Sequence, residues 1–461
     1  MFFLSVINIV PVCIAISFAG ENTQRPPKNI IIMIADGCGY NHLEAAGCYQ
    51  YAGTDPEPCR KFPVRCAMST YSLRGSYDPQ QAWADFKYVT RGYTDSAAAA
   101  TAMATGVKTF NGYIGIDRDG KTLKNLIERC EELGKATGVI TSVPWTHATP
   151  AAFVAHSKSR NNYGEISHEM VFASALEVIM GTGHPYYDND GKPRKRPGYK
   201  YISSNTWKAL VEGTASSDAD GDGIKDTWTL VQTRRQFQTL MTGPAPKRVC
   251  GTATALETLQ QKRSGKTDAA PFQVDFIETV PTLDEMARAA INVLDDDPDG
   301  FFLMIEGGAV DWASHANQSG RMIEEMVAFD KTIEAVITWI EKNSSWDQTL
   351  LIVTGDHETG YITGPDSGQK AGRPLWKPLE NKGKGQVPGF EWHSSSHTNS
   401  LIPFLAAGCS SSLYETAATH SDPVRGKYID NTDVARVIFA LLEQPLQEGH
   451  ENRLKVPQVV R

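Results

Sequence analysis

Short apolar, β-branched runs alternate along the chain with stretches whose apolar positions recur at helical spacing. The run 29–35, NIIIMIA, is apolar throughout and is stopped by Asp36-Gly37, which predicts a fully buried strand. TGVITSV (137–143), GFFLMIE (300–306), TLLIVT (349–354) and LIPFLAA (401–407) read the same way. Between them the patterning predicts helices over Leu123–Leu133, Ser167–Met180, the LDEMARAAINVL that follows Thr282, Met322–Asn343 and Asp430–Leu442. Residues 40–92 read as loop-rich and partly extended. Strands alternating with helices predict an α/β fold, with a mostly parallel central sheet flanked by helices on both faces.

Residues 93–105, YTDSAAAATAMAT, predict a further helix, because alanine has the best helix propensity. Thr94 or Asp95 supplies its N-cap, which puts Ser96 in the first turn. Free N–H groups and the positive dipole end favour an anion there. Taken alone, the same stretch also reads as an ordinary capped core helix.

The character changes at 184–281, where turn residues and short polar stretches suggest an insertion decorating the core; 364–392 reads as a second insertion. Within the first lie Asp218, Asp220, Asp222 and Asp226, spaced like the start of a calcium loop. Thr229 stands where such a loop carries its glutamate, so a solvated Asx-Gly turn is the competing reading. No internal repeat appears, and residues 20–461 read as a single decorated domain.

A net charge of -8 over 461 residues leaves no basic footprint, which argues against nucleic acid or an anionic membrane as partner. Residues 1–19 are apolar and end Ser-Phe-Ala, which predicts a removable signal peptide and an exported, periplasmic or extracellular protein. A single membrane anchor is the alternative for that stretch; Pro11 and the small-residue end favour removal. After the signal no membrane anchor is expected. Of eight cysteines, Cys13 leaves with the signal, and Cys48, Cys59 and Cys66 are spaced for a local disulfide. Cys130 reads as core.

The chemistry lies in where the polar residues fall. Asp36 directly follows one apolar strand, and His147 and Thr149 follow the next. Glu306 ends the third, with Asp311 and His315 just beyond. Asp356-His357 follows the fourth, and His397 precedes the last. Ligands of open α/β sheets bind at such strand ends. Carboxylates mixed with imidazoles are zinc-type donors, while carboxylate and hydroxyl suit magnesium. A metal cluster also accounts for the serine, whose hydroxyl is a weak nucleophile unless a base or a metal activates it.

DGCG, TDSAAAATAMATG, THATPAAFVAHSKSR, EGGAVDWASHAN, TGDHETG and HTNSL occur here in the order found in alkaline phosphatases. The chain resembles the secreted bacterial branch of that family along nearly its whole mature length. The resemblance implies a phosphomonoester hydrolase acting on small phosphomonoesters, usually a homodimer, with two zinc ions and one magnesium per subunit. Carried over by motif, Ser96 resembles the nucleophile that becomes a phosphoserine, Arg160 the phosphate-gripping guanidinium, and Asp95 the residue that orients it. Asp311, His315 and His397 resemble the first zinc site; Asp36, Asp356 and His357, with Ser96, resemble the second. Thr149, Glu306 and His147 or its water shell, bridged by Asp36, resemble the magnesium site. His147 stands where some members carry Asp, Trp312 where some carry Lys or His, and Cys38 where an apolar residue is usual. A phosphodiesterase of the same superfamily is the nearest alternative; a catalytically silent, metal-binding secreted protein is the other. A sulfatase is disfavoured, because no Cys-x-Pro-x-Arg or Ser-x-Pro-x-Arg sequence is present.

Overall fold

The computed structural model describes residues 26–54, 56–219 and 223–443. The signal-peptide stretch, Cys13 and the aspartates at 220 and 222 lie outside them.

An eleven-stranded sheet runs through the molecule. In chain order its strands are β1 (Asn29–Ala35), β2 (Val64–Ser69), β3 (Ala136–Pro144), β4 (Val178–Thr182), β5 (Thr229–Val231), β6 (Val249–Thr252), β7 (Phe301–Gly307), β8 (Thr349–Gly355), β9 (Ile402–Gly408), β10 (His420–Asp422) and β11 (Gly426–Asp430). In space the order is β10-β11-β2-β9-β8-β1-β7-β3-β4-β6-β5. From β8 through to β5 every pairing is parallel, while β9 runs antiparallel to β8 and to β2.

β1 carries no polar face because both of its faces are covered. Ile30, Ile32 and Ile34 join one apolar layer, with the helices Ser96–Thr105 and Thr432–Leu442. Ile31, Met33 and Ala35 join the opposite layer, with Leu283–Leu294 and Ser319–Asn343. That two-sided burial is what makes a parallel strand read as a continuous apolar run. All ten residues of Ser96–Thr105 are buried. Its alanines fit a helix enclosed on every side, where a larger side chain has no room.

Four expectations are corrected. Residues 40–51 form a regular helix, Tyr40–Tyr51, inside the segment read as loop-rich. Its buried residues, His42, Ala45, Ala46, Gly47 and Cys48, are small or polar, so the pattern carries almost no helical period. The helix expected over Ser167–Met180 ends at Phe172, and Val178–Thr182 is instead strand β4; a five-residue apolar run so close behind a helix merges with it in sequence. The insertion 184–281 is more than decoration, because its β5 and β6 extend the central sheet beside β4. The local disulfide is not formed: among the described residues no disulfide joins Cys48, Cys59 or Cys66, while Cys130 lies buried in the core as expected.

In the calcium-like loop, Asp226 pairs with Lys247 at 2.9 Å, and Asp218 accepts from the Gly223 N–H at 2.9 Å. The segment 364–392 carries a small hairpin, Gly368–Lys370 with Arg373–Leu375, outside the main sheet.

One buried carboxylate marks a pH-dependent weakness in the scaffold. Asp330 is 1% exposed, Gln50 Nε2 donates to its Oδ2 at 2.5 Å, and its Oδ1 has no partner. Burial pushes its pKa from 3.8 up to about 8. Between those values the folded chain holds a proton that the unfolded chain has released, so stability falls as pH rises through the window. Asp330→Asn is therefore expected to change little at pH 4 and to stabilise by on the order of 2–5 kcal/mol above pH 8. Denaturation midpoints of both proteins at the two pH values check this. A gain equal at both would sink the account.

Candidate active site

The registers of β1, β7, β8 and β3 bring their carboxyl ends to one edge. Ala35 lies opposite both Gly355 and Gly307, and Thr141 lies opposite Glu306. Asp36, Glu306 and Asp356-His357 therefore converge without any long-range coincidence. Gly37 turns the chain away at φ +77°, and a Cβ there would meet the Asp311 Cα at 2.8 Å, so only glycine serves both the turn and the approach. Ala309–His315 is a short helix, which puts Asp311 and His315 on one face. β9 starts at the same edge, so His397, five residues before it, reaches the cluster.

Ser96 opens its helix with Asp95 as N-cap, whose Oδ1 accepts from the Ala98 N–H at 3.0 Å. Ser96 Oγ lies 3.3 Å from His357 Nε2, which lies 3.2 Å from Asp356 Oδ2 and 3.6 Å from Asp36 Oδ1. His315 Nε2 lies 3.0 Å from His397 Nε2 and 3.4 Å from Asp311 Oδ1. Three donor groups each gather within 4.8 Å: Asp311, His315 and His397; Asp36, Asp311 and His357; Asp36, His147 and Glu306.

Orientation and satisfaction identify what these groups are built for. The Nδ1 atoms of His315 and His397 face the Ser395 and Thr94 carbonyls at 2.7 and 2.9 Å, which turns each Nε2 toward the cluster. Thr359 Oγ1 donates to Asp311 Oδ1 at 2.6 Å and lies 3.3 Å from His357 Nδ1. By contrast both oxygens of Asp36, Glu306 Oε1, Asp356 Oδ2 and Thr149 Oγ1 are buried without a hydrogen-bond partner. Buried carboxylate oxygens left this way are costly unless a cation meets them, and this donor set fits divalent metal ions. Without that cation, burial raises Glu306 to about 7 and Asp356 to about 6. Asp36 rises too, through burial and then the Asp356 charge. Burial, then the neighbouring His397, lowers His357 far below its usual value, so its imidazole stays neutral and able to donate a lone pair.

Beside the cluster, Arg160 Nη1 donates to Asp95 Oδ2 at 3.0 Å, and Nη2 lies 3.4 Å from His147 Nε2. The same Asp95 oxygen accepts from the Gly112 N–H at 2.9 Å, so one carboxylate caps the serine helix and fixes the guanidinium. The site thus brings together a serine hydroxyl, a charged fork and groups able to ligate cations, side chains of the kinds that phosphoryl transfer uses.

All twelve site residues expected from sequence meet at this edge. Sequence reasoning passed over Thr359, the Thr94 and Ser395 carbonyls, Tyr93, whose ring lies 5.9 Å from that of His397, and Thr141, which donates to Glu306. Thr359 sits inside the TGDHETG motif, but nothing in its spacing shows which ligands it would hold.

The family profile for alkaline phosphatase matches residues 27–387. Alkaline phosphatase 3 of Bacillus subtilis is 31% identical over 358 residues, 75% of this chain and 64% of that protein, so the chain spans just under two thirds of that relative. The alkaline phosphatase of Escherichia coli is 28% identical over 415 residues, 84% of this chain and 82% of the relative. A variant of the alkaline phosphatase of the Antarctic bacterium TAB5, described with Mg bound in its M3 site, has the same fold. It superposes with a TM-score of 0.61 at 23% identity, covering 92% of this chain and 99% of that one.

Proposed function

Because this chain belongs to the alkaline phosphatase family, we propose that it hydrolyses small phosphomonoesters through a phosphoserine at Ser96. The observation that carries this reading is the Ser96 hydroxyl, 3.3 Å from His357 Nε2 and set among buried carboxylate oxygens that have no protein partner. Asp311, His315 and His397 would hold one zinc, and Asp36, Asp356 and His357, with Ser96, a second. Asp36, Thr149, Glu306 and His147 would hold magnesium, the ion described in a variant of the TAB5 relative in which a histidine is replaced by aspartate. When bound, such ions supply Lewis acidity and neutralise the charge that builds up on the phosphoryl oxygens.

Ser96 Oγ attacks phosphorus, the ester P–O bond breaks, and the alcohol departs with the proton that the serine gave up. Water then cleaves the Ser96–phosphate bond, returning the serine hydroxyl and releasing inorganic phosphate. The Arg160 fork grips two phosphoryl oxygens, a task that a lysine's single ammonium meets less well. Asp95 is a positioning residue, holding Arg160 at 3.0 Å. Export and pairing into a homodimer belong to the same reading. No helix among the described residues is long and apolar enough to cross a membrane.

The competing phosphodiesterase reading is separated by one comparison. With zinc and magnesium supplied, 4-nitrophenyl phosphate is expected to turn over at least about a hundredfold faster than bis(4-nitrophenyl) phosphate, because a monoester has a third non-bridging oxygen left for the cation ligands' side once Arg160 holds two, whereas a diester has only two and a second aryl group to accommodate. Equal or faster diester hydrolysis would overturn the monoesterase reading, and inactivity on both would favour a silent metal-binding protein.

A further inference from the structure

Two lysines carried by the inserted segment stand beside the site and take no part in the chemistry described above. Lys262 Nζ lies 5.7 Å from the centre of the Trp312 ring, and that ring lies 5.5 Å from the His147 ring. Lys262 is exposed and makes no ion pair among the described residues. Its backbone is nevertheless fixed, since its N–H donates to Thr258 Oγ1 at 2.7 Å. The adjacent Gln261 Nε2 donates to Gln318 Oε1 at 2.9 Å, which ties this turn to the start of helix Ser319–Asn343.

Lys200 is brought to the same side by its neighbour Tyr201, whose carbonyl accepts from Thr146 Oγ1 at 2.9 Å, one residue before His147. Lys200 Nζ lies 4.5 Å from the Tyr201 ring and 3.6 Å from Glu257 Oε1, yet its side chain stays 62% exposed. In a chain with more acidic than basic residues, two lysines held near the Arg160–His147 pair are a departure from the average surface. Asp95 engages Arg160 and Glu257 partly offsets Lys200, but Lys262 has only an aromatic face beneath it. Such a face holds an ammonium without neutralising it.

We propose that Lys200 and Lys262 form a subsite for a second phosphate, so that the preferred substrates are small bisphosphorylated molecules. This inference rests on the phosphomonoesterase reading above. A lysine is a point charge on a flexible stem, which suits a group whose distance from the reacting phosphate varies between substrates. Trp312 sets where the Lys262 stem can lie, and the inserted segment supplies both charges.

The test compares butane-1,4-diol bisphosphate with butyl phosphate, which share an alkyl leaving oxygen and differ by one phosphate. For the metal-loaded enzyme at low ionic strength, kcat/KM for the bisphosphate is expected to exceed that for butyl phosphate by about tenfold or more, well above the statistical factor of about two for two equivalent phosphates. The ratio is expected to fall toward two in about 0.5 M NaCl as the charges are screened. Lys262→Ala and Lys200→Ala are each expected to lower it about three- to fivefold, and Lys262→Arg to retain it. A wild-type ratio near two, or a ratio that neither alanine moves, overturns this inference while leaving the phosphomonoesterase reading standing. Hydrolysis of neither ester overturns both.

Discussion

Ser96→Ala is expected to lower phosphomonoester turnover by at least about a thousandfold while moving stability by no more than about 1 kcal/mol. The two effects separate because of where the serine sits. It begins a wholly buried helix of small residues and is itself 1% exposed, so an alanine fits without a cavity or a clash. The one side-chain contact given up is the 3.3 Å approach to His357 Nε2. Alanine also has the better helix propensity, which offsets part of that loss. Acid quenching during turnover with labelled phosphomonoester should leave phosphate covalently on the wild-type chain and none on the variant. Label retained at another residue in Ser96→Ala would move the nucleophile elsewhere.

Chelation should have the largest effect on stability. The edge of the sheet gathers Asp36, Glu306, Asp311 and Asp356, and four of their oxygens are buried with no hydrogen-bond partner. Ligands that bind only the folded chain stabilise it by about 4 kcal/mol per site at a thousandfold excess over Kd. Removing divalent ions is therefore expected to lower the thermal midpoint by on the order of 10 °C, and zinc with magnesium to restore it. Asp36 belongs to two of the donor groups, so Asp36→Asn should shrink that shift sharply. In chelator the ranking should reverse, with the variant more stable than the parent, because one buried and unmet negative charge has gone. Scanning calorimetry of both proteins with and without chelator checks both statements. A wild-type midpoint indifferent to chelator would mean that the cluster is not a metal site.

The central strands were legible because two-sided burial leaves an unmistakable record. Asn29–Ala35 and Thr349–Gly355 can satisfy their backbones only beside other strands, and every side chain along them is buried. The donors were legible for a related reason: a polar residue placed directly after such a run has to emerge at the strand's end. Tyr40–Tyr51 escaped because its buried residues are small or polar, His42, Ala45, Ala46, Gly47 and Cys48, and leave no apolar stripe to read. Strand β4 escaped because five residues are too few to show a period.

By itself, then, the sequence determined the α/β class, the alanine helix with its cap at Thr94 or Asp95, and the identity of the donors at the strand ends. Those features follow from local chemistry: apolar runs must be buried, a cap must satisfy free N–H groups, and a ligand must carry a lone pair. Only the tertiary structure decided which donors gather within reach of one another, since that depends on strand order and register, with Ala35 opposite both Gly355 and Gly307. It also decided that Thr359 holds Asp311 and that Asp95 fixes Arg160, pairs 48 and 65 residues apart in the chain. The placement of Lys262 over the Trp312 ring, and of Tyr201 against Thr146, belongs to the same class. No periodicity or motif encodes such contacts, because they arise only when separately folded segments pack against one another.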